Sequence, residues 1–156
     1  MTNVTIEYVI LIPLLFTQVI IFPYVASTIT SNWQDSQRDI ELQDAANHLA
    51  STIQQLYLTL DRDEILECTV TKASPVPVTV ASYPYNATCN PPSGSSNILK
   101  ITLTLDEVSN TATAAAVLGP NATWTESTMR STSSDAHIMV QKFSNGTIGF
   151  SFGGSG

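Results

Sequence analysis

The sequence predicts an α+β protein. A long N-terminal hydrophobic α-helix continues into an amphipathic half, which packs on a C-terminal antiparallel β-sheet head. Three observations lead there. An almost unbroken apolar run spans Tyr8 to Ala26, with no charge between Glu7 and Asp35. A stretch with apolar residues at helical spacing follows it. After Glu67 the period changes, and apolar residues alternate between clusters of Gly, Pro and Asn.

Residues 3–30 form the hydrophobic segment. A bilayer core needs about 20 apolar residues in helical form, and this run supplies them. Pro13 and Pro23 lie inside it, and each removes a backbone donor, so each should kink or locally melt the helix. Membrane helices tolerate this where neighbours satisfy the freed carbonyls. Trp33 follows the segment; it suits either a membrane interface or a contact between subunits.

Residues 31–64 continue the helix. Leu42, Ala46, Leu49, Ile53, Leu56 and Leu60 recur three or four apart, and Ala45 and Tyr57 widen the stripe. Arg38, Asp39, Glu41, Gln43, Asp44, Gln54 and Gln55 occupy the other side. No Gly or Pro falls between Val25 and Leu66, so one helix is expected from residue 3 to about residue 64. Its apolar stripe must be covered.

Residues 65–156 form the head. Asn97–Leu105 alternates strictly, with Leu99, Ile101, Leu103 and Leu105 on one face. Weaker strands are expected at Glu67–Thr71, Val76–Val80, Thr111–Val117, Ala122–Met129, Ala136–Phe143 and Thr147–Phe152. Turns are expected at Pro91-Pro92-Ser93-Gly94, Gly119-Pro120-Asn121 and Ser144-Asn145-Gly146. The last is a strong hairpin signal. An antiparallel sheet of about five to seven strands results.

Charged residues make up 12% of the chain, about half the roughly 25% usual for soluble domains. Net charge is −7 with 6 Lys and Arg, none clustered. That excludes nucleic acid as a partner, because neutralising phosphates takes grouped cations. Cys68 and Cys89 match no zinc or redox spacing. Sequons occur at Asn86, Asn121 and Asn145, all expected in turns or at strand edges of the head and marking N-linked glycan sites. Asn3-Val4-Thr5 also matches but abuts the apolar segment and is set aside. With the sequons, the two cysteines read as one disulfide in an oxidising compartment, worth about 3 kcal/mol in the chain-entropy model. Ser133, Asp135 and His137 are close in sequence, and His48 lies in the helix, but proximity in sequence is not triad geometry. With no nucleophile setting, metal-ligand spacing or phosphate loop, the reading is a non-enzyme with no cofactor and no metal.

Glu7 opens the apolar run. Buried and unpaired there, a carboxylate is costly. It either stays at the lipid interface or pairs with a cation when helices bundle, and such a pair fixes register more than it stabilises.

Asn3-Val4-Thr5-Ile6-Glu7-Tyr8-Val9-Ile10-Leu11 resembles the start of archaeal type IV pilin-like proteins that carry a class III signal peptide. The resemblance covers about the first thirty residues; beyond them only the architecture is similar. It implies a cut by a prepilin peptidase between Thr2 and Asn3, with residues 1–2 a remnant of the leader. Leaders of that family usually hold Lys or Arg just before the cut, where this chain has Met1-Thr2. Glu7 would then be the fifth residue of the mature chain, facing the free α-amino group of Asn3 on a neighbouring subunit. The resemblance further implies a membrane-embedded subunit that a membrane assembly platform builds into a helical, extracellular filament of many copies. A major adhesion pilin is expected; an archaellin, a minor pilin or a non-assembling anchored ectodomain that binds a surface ligand is the alternative. An ordinary secretory signal cut near Val25-Ala26-Ser27 competes, but Glu7 and the uninterrupted helix beyond residue 27 oppose it.

Overall fold

The computed structural model describes residues 3–90 and 97–154, with side chains from residue 9 onward. One long helix precedes a region of mixed sheet, so the α+β class holds. The chain divides into two compact units, 1–37 and 38–156.

Helix α1 spans Asn3–Leu60 and runs unbroken through Pro13 and Pro23, so the local melting expected at the prolines does not occur. Nearby threonines keep their hydroxyls inside the helix. Thr17 donates to the Pro13 carbonyl (2.8 Å), Thr28 to Tyr24 (3.0 Å) and Thr30 to Ala26 (2.9 Å). An apolar environment favours this, because no hydroxyl is left without a partner.

The helix stops at Leu60, short of the expected residue 64. The Asp61 N–H still reaches the Tyr57 carbonyl (2.8 Å), and a turn follows in which Ile65 N–H donates to Arg62 (3.1 Å). The last turn of α1 contains no basic residue, and Asp61, Asp63 and Glu64 follow it, on the unfavourable side of the helix dipole. The missing cation comes from elsewhere in the head. Lys142 Nζ donates to the carbonyls of Leu60 (2.7 Å) and Arg62 (2.8 Å).

Nine strands occur among the described residues: β1 (Cys68–Ala73), β2 (Thr79–Val80), β3 (Tyr83–Asn90), β4 (Ile98–Leu105), β5 (Thr111–Val117), β6 (Ala122–Trp124), β7 (Ser127–Arg130), β8 (His137–Lys142) and β9 (Ile148–Gly153). They form two sheets rather than one. The first has the order β1-β8-β9-β6; the second has the order β2-β3-β4-β5, with β7 also on β3. The sheets are not wholly antiparallel, since β6 runs parallel to β9.

The expected strand Ala122–Met129 is two strands, and the reason is topological. Its first part pairs with β9 in the register Ala122↔Ile148 to Trp124↔Phe150, and its second with β3 from Asn86↔Arg130 to Cys89↔Ser127. Between them the Thr125 N–H donates to the Phe150 carbonyl (3.0 Å) and the Phe152 N–H to Ser127 Oγ (2.8 Å). One segment thus ties the two sheets together.

Strand β3 was not anticipated. Tyr85, Ala87 and Cys89 point inward and are almost fully buried, while Asn86 and Thr88 are half-buried on the other face. The turn before it also lacks the usual markers. Ala81 (φ 49°) and Ser82 (φ 72°) link Val80 to its partner Tyr83, a two-residue turn with both φ positive made without glycine.

The core of the second unit joins the helix stripe to both sheets. Leu42, Ala46, Leu49 and Ile53 are fully buried, with Ile101 and Leu103 from β4, Ile138 and Val140 from β8, and Ile148 from β9. Strand β5 turns only Ala112, Ala114 and Ala116 inward. These small side chains leave room for α1, and Gln43 Nε2 reaches the Thr113 carbonyl (3.1 Å). Asn110 Nδ2 donates to Asp39 (2.7 Å) nearby.

Candidate functional site

Two regions of the chain are candidates for function. The first is the apolar half of α1. Val9, Phe16, Val19, Ile20, Phe22, Tyr24 and Ile29 all keep more than three fifths of their surface exposed. Its most apolar window has a mean hydropathy of 2.3 with none of it buried. By length and composition this helix suffices to cross a membrane. Beside Pro23 the helix surface carries a shallow apolar depression lined by Leu15, Gln18, Val19, Phe22 and Val25. Since the apolar surface goes round the whole helix, one face against one partner would leave the rest in water. A surface of this kind calls for apolar cover on every side.

The cut expected between Thr2 and Asn3 and the register role expected of Glu7 would bear on this same segment. Thr2 and the side chains of Asn3 and Glu7 lie outside the described residues, as does the turn expected at Pro91–Gly94.

The second region is the end of the head where α1 stops. Tyr57 donates its hydroxyl to Asn121 Oδ1 (2.5 Å), and Asn121 Nδ2 donates to Asp61 Oδ1 (2.8 Å) and to the Gly146 carbonyl (3.2 Å). One asparagine in the β5–β6 turn therefore holds the helix end and the β8–β9 hairpin together. Burial, then the charge of nearby Asp61, keeps the Tyr57 hydroxyl less acidic than usual. Gly119 lies beside the ring, where a Cβ would stand 1.9 Å from the Tyr57 oxygen.

The sequons fall in three different settings. Asn145 is exposed at the tip of the β8–β9 hairpin, whose Gly146 has φ +81° as the Asn-Gly pattern requires. Asn121 lies in its expected turn but is held as described. Asn86 is neither in a turn nor at a strand edge. It sits in the middle of β3 between β4 and β7, and its Nδ2 donates to Asp106 Oδ1 (2.5 Å). Arg130, its cross-strand partner, donates to the other carboxylate oxygen (3.1 Å). The sequon reading masked a strand in which Asn86 is structural.

The disulfide expected between Cys68 and Cys89 is not formed, and both thiols are free. Cys68 lies on β1 opposite Lys142, in the first sheet; Cys89 lies on β3 opposite Ile101, in the second. The missed strand explains the error, because it carries Cys89 into the core. Burial pushes the Cys89 thiol far up from its ordinary value.

Ser133 and Asp135 lie in the turn before β8, and His137 is the first residue of that strand. His137 Nδ1 is 2.7 Å from the Asp135 carbonyl, and the Ser133 hydroxyl accepts from the Asp135 N–H (3.4 Å). His48 is exposed in a groove with Glu41 and Asp44 that Pro75–Val80 closes on the other side. Among the described residues no three metal-ligating side chains gather. Sequence reasoning missed Lys142, whose lysine in an alternating strand has no local signature, and the structural part of Asn121, which the sequon concealed.

No protein-family model, curated protein or solved structure matches the chain.

Proposed function

We propose that this chain is a membrane-anchored structural subunit that assembles with copies of itself through its N-terminal helix. Within that class, it is a major pilin of an archaeal type IV-like surface filament serving adhesion. The observation that carries the reading is the division of α1. Residues from Val9 to Ile29 are apolar all round and exposed, whereas residues from Leu42 to Leu60 bury one stripe in the head core. A helix that only had to complete the head would need no such first half. Before assembly lipid covers the apolar half; in the filament, helices of other copies replace the lipid. Head-to-tail contacts that do not close then extend as a helix of subunits.

The start of the chain supports the same reading. Glu7 heads the apolar run, and a cut before Asn3 would place a free amino group where a neighbour's Glu7 can meet it. A peptidase, a membrane assembly platform and a non-enzymatic, extracellular role follow from the resemblance. Outward orientation of the head now rests on the sequons, since the cysteines form no bridge. The weakly charged composition also suits an assembled surface.

The test is cryo-electron microscopy of filaments sheared from the cells that make the protein. Filaments whose density fits this chain, with helices at the centre, are expected. Protein found intact in membranes without any filament would instead favour an anchored ectodomain. Glu7→Ala should abolish or weaken filaments while the subunit still reaches the membrane; normal filaments from that variant would remove the pairing role.

A further inference from the structure

The three sequon asparagines of the head differ in what their amide nitrogens do. Glycosyl transfer uses Nδ2 as the nucleophile, so its surroundings decide whether a folded chain can react. At Asn121 both Nδ2 hydrogens are committed, one to Asp61 and one to the Gly146 carbonyl. The rest of that sequon lies along β9: the Ile148 N–H donates to the Asn121 carbonyl (2.8 Å), and the Thr123 hydroxyl donates to the Ile148 carbonyl (3.5 Å). At Asn86, Nδ2 is held by Asp106, strands flank both sides, and the Thr88 hydroxyl donates to the Thr102 carbonyl (3.4 Å). At Asn145 the oxygen is the engaged atom. Its Oδ1 accepts from the Thr147 N–H (2.9 Å), which turns the sequon back on itself and leaves Nδ2 without a protein partner among the described residues. The residue is exposed, at the tip of the hairpin that joins the two central strands of the first sheet.

We propose that Asn145 is the residue at which the folded head accepts an N-linked glycan, while Asn86 and Asn121 stay unmodified. In the reaction Nδ2 forms a bond to the anomeric carbon of a lipid-linked oligosaccharide. The bond from that carbon to the lipid diphosphate breaks, the diphosphate leaves, and the amide proton passes to the transferase. At Asn121 the same step would first have to break the lock between the helix end and the hairpin. The proposal takes its place in the cell from the outward orientation given above, but the chemistry depends on the head alone.

The experiment uses the purified full chain in detergent, a single-subunit oligosaccharyltransferase and a lipid-linked oligosaccharide, with sites located by peptide mapping. The folded chain should gain the mass of one oligosaccharide, on Asn145, and the Asn145→Gln variant should lose that shift with an unchanged unfolding midpoint. After denaturation Asn86 and Asn121 should become acceptors as well. Folded chain modified at Asn121 or Asn86 as readily as at Asn145, or left bare at Asn145, overturns the proposal. Neither result depends on whether filaments form, so a failure here is distinct from a failure of the pilin reading.

Discussion

Lys142 Nζ lies 2.7 Å from the carbonyl oxygen of Leu60, a buried ammonium from the last position of β8 closing the C-terminus of α1. A second bond to Arg62 (2.8 Å) carries the cap into the following turn. Carbonyls at a helix end have no partner within the helix, and the charge favours that end of the dipole. Lys142→Met leaves both carbonyls in a place with little water. The expected loss is about 2 kcal/mol, the scale of a hydrogen bond to a charged group. Urea denaturation of the head measures it. A cost near zero would mean that water replaces the cap.

Gly119 and Tyr57 approach so closely that only glycine fits. A Cβ on residue 119 would meet the Tyr57 oxygen at 1.9 Å and its ring carbon at 2.8 Å. Gly119→Ala must push the phenol away from Asn121, at an expected cost of about 2 kcal/mol. Gly146→Ala provides the contrast. Nothing lies within 4 Å of its Cβ position, so only the positive φ opposes it, at about 1 kcal/mol. Thermal unfolding of the two variants should rank them in that order.

The β2–β3 turn is the opposite case, a conformation for which the residues present are poorly suited. Ala81 and Ser82 both hold positive φ. Asn-Gly is the favoured pair for such a turn. The double change Ala81→Asn, Ser82→Gly should therefore stabilise the head by about 1 kcal/mol, through relief of left-handed strain. A lower unfolding midpoint would show that Ala81 or Ser82 makes contacts worth more than the strain.

Alkali should loosen the head. Burial first of all raises the pKa of Cys89 above its ordinary 9.0 and that of Tyr85 above 10.0, and Tyr57 is raised as well, by burial and then by Asp61. Each group releases its proton first in the unfolded chain, so the folded state holds more protons and stability falls as pH rises. Their contribution is complete below the ordinary values and is lost as pH climbs past them. Denaturation midpoints should hold steady up to a pH of about 8 and fall above about 9. Cys89→Ala should remove the early part of that fall, and Tyr85→Phe part of the later one.

Free thiols make a direct check on the sheet assignment. Cys68 is half-exposed and Cys89 is buried. An alkylating reagent applied without reductant should modify Cys68 in the folded protein and Cys89 only after unfolding. Two protected cysteines in the unfolded, unreduced chain would restore the disulfide and move β3.

What could be read before folding is what repeats along the chain. Leu99, Ile101, Leu103 and Leu105 declare a strand because period two is a local property, and all four are buried. Leu42, Leu49 and Ile53 declare the helix stripe in the same way, and Asn145-Gly146 the hairpin, because the turn needs a positive φ that glycine supplies. The apolar run at the start needs no fold at all to be recognised. Other features belong to contacts between residues far apart in sequence. The end of α1 is capped by Lys142, 82 positions from Leu60, where the local sequence offers acidic residues and no cap of its own. Strand β3 is spelled with Tyr, Pro, Asn, Ala and Thr, and it is a strand because β4 and β7 flank it and bury Ala87 and Cys89. Hydrogen-bonded partners on both sides turned a segment of turn-like composition into the middle of a sheet, separated its cysteine from Cys68, and placed the Asn86 sequon between two strands, with its nitrogen committed to Asp106.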